Sequence, residues 1–83
     1  MFNKKWKFKK SGVSNNCVLF GVKIFDYEWH STDENVILRD PIYQQPYTFS
    51  VYEVKIRGTV KRFAAGEVSN GVYLFYTQKW SFL

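Results

Sequence analysis

Apolar and polar residues alternate with a period of two through much of this chain, most clearly over residues 47–80. Runs of Val, Ile, Tyr and Phe there are separated by Arg57-Gly58-Thr59 and by Ser69-Asn70-Gly71. The pattern predicts three consecutive antiparallel strands joined by tight turns, because Asn-Gly between β-branched and aromatic runs is a strong hairpin signal. The first turn has two possible registers. A Gly58-Thr59 turn sets Lys55 opposite Arg62, a like-charge pair, whereas an Arg57-Gly58 turn sets Glu53 opposite Arg62. Glycine in the first turn position is the cleaner chemistry and favours the former. Phe63-Ala64-Ala65-Gly66 then offers small residues where a neighbouring segment can approach closely or the strand can kink.

Upstream, residues 1–10 alternate as Lys5-Trp6-Lys7-Phe8-Lys9, which puts two aromatics on one face of a strand and lysines on the other. The segment reads as an edge strand defended by lysine, or as a basic arm that orders on an anionic partner. Ser11 to Asn16 reads as a turn. Cys17 to Trp29 reads as one long strand whose apolar set moves from even positions (Val18, Phe20, Val22, Ile24) to odd ones (Phe25, Tyr27, Trp29). A flat strand cannot exchange its buried face, so the pattern implies a bulge or sharp bend near Ile24-Phe25, or a strand buried on both sides at first and on one side later. The central strand does the same, from Tyr47, Phe49 and Val51 to Tyr52, Val54 and Ile56. His30 to Asn35 is a connection, Val36 to Arg39 a short strand, and Asp40 to Pro46 a loop holding both prolines.

Two long strands that both change face suit a coiled sheet. The expected fold is all-β: five to six mostly antiparallel strands in one domain (1–83), a meander curling into a small barrel or a strongly bent sheet. Composition agrees, since aromatic residues make up 20% of these 83 residues and each buries a large area in a domain short of core. The single cysteine, Cys17, cannot form an internal disulfide, and its apolar neighbours make it a small buried hydrophobe. Small secreted domains usually carry several cysteines. No run is long enough to span a bilayer, and the N-terminal lysines lack a following apolar segment. Those points imply a cytoplasmic location without a membrane partner. The net charge of +5 is uneven. Five lysines fall in the first ten residues, leaving seven basic against seven acidic residues in the rest.

Candidate chemistry is sparse. Asp26, Glu28 and His30 would project from one face of a strand, the best metal or acid–base constellation available, but no second His or Cys stands at ligand spacing. The five glycines are too scattered for a phosphate-binding loop. The expectation is therefore no enzyme, no metal and no cofactor. Ser31-Thr32-Asp33-Glu34-Asn35-Val36, followed by Leu38, Asp40-Pro41, Tyr43 and Pro46, resembles a segment of the phage-type inhibitors of uracil-DNA glycosylase. The likeness covers under a third of the chain. Those inhibitors are acidic DNA mimics that engage the enzyme through an acidic-hydrophobic edge strand near the N-terminus. Here that region is lysine-rich, so no role is carried over.

The leading functional expectation is a binding module that forms a homo-oligomer or takes a protein partner. The last strand, Val72 to Tyr76, is apolar on both faces, and a face left uncovered would be an interface. Trp6, Tyr73, Phe75 and Trp80 are the apolar contact candidates, and Lys55, Arg57, Lys61 and Arg62 the polar ones. The alternative is single-stranded nucleic-acid binding by the lysine arm and the 55–62 hairpin, where bases stack on aromatics and phosphates pair with Lys and Arg.

Overall fold

The computed structural model describes residues 5–78, so Trp80 lies outside the described residues. Tight turns set the frame. Arg57 and Gly58, both in the left-handed region (φ 52 and 82), join β5 (Pro46–Ile56) to β6 (Thr59–Ser69). This arrangement needs positive φ at both central residues, the type I′ condition. It pairs Ile56 with Thr59, Lys55 with Val60 and Glu53 with Arg62, which corrects the register that glycine-first chemistry favours. The physical reason is visible in the pairing: strain at Arg57 is tolerated, and the like charges of Lys55 and Arg62 are no longer opposed. Arg62 finds its carboxylate on a third strand, in an ion pair with Glu34.

The second turn, through Gly71, joins β6 to β7 (Val72–Gln78), with the Gly71 N–H donating to the Glu67 carboxylate at 2.8 Å. Strand β1 (Trp6–Val13) pairs antiparallel with β7, and β4 (His30–Arg39) with β5, giving the order β1-β7-β6-β5-β4. From Trp6 on, the lysine-rich segment is thus an edge strand: Trp6 is buried, Phe8 half-buried, Lys7 and Lys9 exposed.

Residues 17–29 depart most from expectation. The predicted long strand is instead β2 (Val18–Leu19), a two-residue turn at Phe20-Gly21, β3 (Val22–Lys23), and one turn of 3-10 helix over Ile24–Asp26. The change of apolar parity at Ile24-Phe25 is absorbed by that helical turn, a sharp bend at the expected place and not a bulge. The strand expected at Val36 begins at His30, and its irregularity falls between Ser31 and Asn35, where Asp33 has φ 63.

The main sheet buries both faces. In β6, Phe63 and Ala65 belong to one cluster of buried residues and Ala64 to the other, the alternation a strand imposes. The first face, with Val54, Ile56, Phe63 and Phe75, is covered by the 17–29 segment through Cys17, Leu19 and Ile24. Trp29 donates its indole N–H to the Ile24 carbonyl at 2.9 Å. Its ring lies 5.0 Å from Phe63 and 4.9 Å from Phe25, centre to centre. The second face, with Trp6, Leu38, Phe49, Val51, Leu74 and Tyr76, draws its buried residues from the five strands themselves.

Curvature closes that second face. The Tyr76 hydroxyl on β7 donates to the Arg39 carbonyl on β4 at 3.0 Å. In a flat sheet these strands would lie about 14 Å apart, beyond a tyrosine's reach. The sheet is all-β and bent, with β1 and β4 as separate edges, so it is not closed into a barrel.

Burial, and secondarily the Asp40 carboxylate, pushes the Tyr76 phenol up to about 12. An unfolded phenol ionises near about 10, so the folded state holds this proton longer. The stability it contributes is complete below about pH 10 and is lost as pH rises through about 12. In urea titrations across that range, Tyr76→Phe is expected to show a shallower loss of stability than the parent. At neutral pH it should start about 1 kcal/mol lower for the missing hydrogen bond. Parallel curves would show that Tyr76 carries no linked proton.

Candidate functional site

The β2–β3 turn stands over one end of the first face and divides two clefts. The larger, about 490 Å³, is lined by Lys9, Lys10, Val18, Leu19, Phe20, Gly21 and Thr77. The smaller, about 350 Å³, is lined by Phe20, Ile56, Arg57, Thr59 and Lys61. Phe20 belongs to both. Its ring is half-buried, with its centre 6.2 Å from that of Phe63 in an edge-on contact, and Lys61 Nζ lies 5.9 Å from the ring centre. Lys10 Nζ donates to the Val18 carbonyl at 2.7 Å, tying β1 to the turn. Among the described residues that line the two clefts there are four cations and two threonines, and none is acidic. The ammonium and guanidinium charges and the hydroxyl donors suit an anion, while the Phe20 ring is an apolar surface between them.

The structure disperses the residues singled out from sequence. Arg57 and Lys61 come together in the smaller cleft. Lys55 lines a separate hollow with His30 and Glu53, and Arg62 is engaged with Glu34. Phe75 is fully buried and Trp6 only 6% exposed, so neither side chain offers a partner appreciable surface. Tyr73 is half-buried, stacked on Phe75 and edge-on to Phe25. The face that carries Tyr73 and Phe75 is thus occupied by the chain's own 17–29 segment. Sequence reasoning missed Phe20, Thr59 and Thr77, and named Lys9 and Lys10 only as part of the lysine arm. A Phe-Gly pair between two short apolar runs is a faint turn signal, and here it was hidden inside an apparent strand.

Asp26, Glu28 and His30 are all exposed and do not form a group that could hold a metal. Among the described residues no group of three potential metal ligands comes together. Cys17 is buried under the sheet, where burial pushes its thiol pKa up against the opposing pull of Lys10. No helix among the described residues is long and apolar enough to cross a membrane. Comparison with family models, with curated proteins and with solved structures finds no match to this chain.

Proposed function

We propose that this protein is a non-enzymatic binding module whose ligand is an extended polyanion held along the two clefts beside Phe20. The observation that carries the reading is the one-sided lining: Lys9, Lys10, Arg57 and Lys61 converge from β1, the β5–β6 turn and β6 without a carboxylate among them. The chain outside its first ten residues has a formal charge of zero, so this convergence is local. Lys9 and Lys10 of the lysine-rich edge and Arg57 and Lys61 of the hairpin flank the same Phe20 side chain, which supports the nucleic-acid alternative over the dispersed Lys55 and Arg62.

Titration with heparin and with a mixed-sequence single-stranded oligonucleotide tests it. With four phosphate contacts on a single strand, affinity is expected to fall about 50-fold between roughly 50 and 200 mM salt. Lys9→Gln or Lys61→Gln should weaken binding and flatten that salt slope by about 0.7 each. Lys55→Gln, in the separate hollow, should leave the slope unchanged. Failure to bind either polyanion at low salt, or equal effects from Lys55 and Lys61, would overturn the proposal.

A second reading, assembly with another copy, is favoured by β4. This edge strand carries Ile37 at 67% exposure, and an open edge with an exposed apolar residue is a template for pairing. Light scattering separates the two: self-association through β4 gives a dimer mass that is indifferent to salt and is abolished by Ile37→Lys.

A further inference from the structure

We infer that the polyanion is a single-stranded nucleic acid and that Phe20 is the side chain on which one of its bases stacks. The inference rests on the polyanion reading and adds the ligand's class.

Charge alone needs no aromatic. A polysulfate or polyphosphate would be held by Lys9, Lys10, Arg57 and Lys61, and a ring among them would only displace hydrated cation surface. The chain nonetheless places a phenylalanine there, and in an expensive way. Phe20 sits at φ 56 and Gly21 at φ 80, the type I′ geometry in which Asn-Gly and Asp-Gly are the favoured pairs. A residue with a bulky Cβ substituent is disfavoured in the left-handed region. Asparagine would close this turn at less cost without supplying a ring. Arg57 occupies the equivalent position of the β5–β6 turn at φ 52 and lines the same cleft. Two tight turns therefore each accept a strained residue, one aromatic and one cationic, and present both to one cleft.

Packing accounts for only part of this. The Phe20 ring meets Phe63 edge-on and Lys61 lies near it, but the side chain remains half-buried and lines two open clefts. An aromatic held between two basic clefts matches the repeat of a single strand, in which a base is flanked by a phosphate on each side. A base stacked at Phe20 would send its two phosphates toward Lys9 and Lys10 in one direction and Arg57 and Lys61 in the other. Duplexes, whose bases are already stacked, cannot use the ring this way.

The test compares three probes on the intact protein: an oligothymidylate of about 15 nucleotides, an abasic strand of the same length, and heparin. The oligothymidylate is expected to bind at least about tenfold tighter than the abasic strand, the usual scale for one stacked base. Phe20→Leu, which keeps apolar bulk against Phe63, should remove that difference by lowering oligothymidylate affinity to that of the abasic strand. Phe20→Trp should restore it. Equal binding of the abasic strand and oligothymidylate by the parent protein overturns the stacking inference, even if Phe20→Leu does not fold, and leaves the polyanion reading standing. If none of the three probes binds at low salt, the polyanion reading itself has failed.

Discussion

Trp29→Ala is expected to lose about 3 to 5 kcal/mol of unfolding free energy in urea titration. A domain of this size holds only about 4 to 12 kcal/mol in total, so much of the population should unfold under mild conditions. The magnitude follows from what the indole joins. Beyond Phe25 and Phe63, its ring lies 5.2 Å from Tyr52 and 6.0 Å from Phe75, centre to centre. Its N–H donates to the Ile24 carbonyl, the same oxygen that the Tyr27 N–H meets in closing the helical turn. Trp29 thus fastens the 17–29 segment to the first face of the sheet, and its loss uncovers Phe63 and Phe75 together. Trp29→Phe separates the contributions: it keeps a ring in place and should lose the hydrogen bond, about 1 kcal/mol, plus a smaller packing share. If Trp29→Ala retained stability within about 1 kcal/mol of the parent, the segment would be held elsewhere.

The second large effect is at Gly66 on the opposite face. A Cβ built there would stand 2.6 Å from Cδ1 and 3.0 Å from Cε1 of Phe49. Phe49 cannot retreat, because it is fully buried and its ring lies 5.0 Å from that of Tyr76, centre to centre. Replacing a strand glycine normally gains about 0.5 to 1 kcal/mol from lost backbone freedom. Overpacking a fixed ring costs about 1 to 3 kcal/mol, so the clash wins. Gly66→Ala should destabilise by about 1 to 2 kcal/mol and Gly66→Val by about 3 kcal/mol. Thermal melts of the single variants and of Gly66→Ala combined with Phe49→Leu check the mechanism. Shortening the ring makes room, so the glycine substitution should cost less in that background. Strict additivity would show that Phe49 is not the obstacle.

The sequence made the Gly66 contact legible as a place of close approach but did not name Phe49. The same division runs through the fold. Strands β5, β6 and β7 are readable because alternation continues until glycine-containing turns interrupt it. Residues 17–29 are not, because two-residue strands are too short to show a period. The parity change at Ile24-Phe25 was visible, yet bulge and helical turn produce the same change. What decides between them is the need to cover Phe63 and Phe75, a tertiary demand. The site divides similarly. Arg57 and Lys61 stand out as a basic hairpin, whereas Phe20 acquires meaning only when folding brings it over Lys61. Phe75 reads as a contact residue because a strand apolar on both faces is either exposed or covered, and Trp6 because an aromatic among lysines is either core or contact; pattern alone does not say which.

The pairing of β1 with β7 has a consequence for how the chain comes to be folded. Of these strands, the first to be synthesised finds its partner in the last. Until β7 emerges, β1 carries Trp6 and Phe8 with no sheet to receive them, and its backbone is a free template for other nascent chains. Lys7, Lys9 and Lys10 then act as gatekeepers flanking an unavoidable apolar strand. Lys9 and Lys10 thus have two employments in sequence: chaperoning an orphan strand during synthesis, and lining a cleft once the sheet is complete.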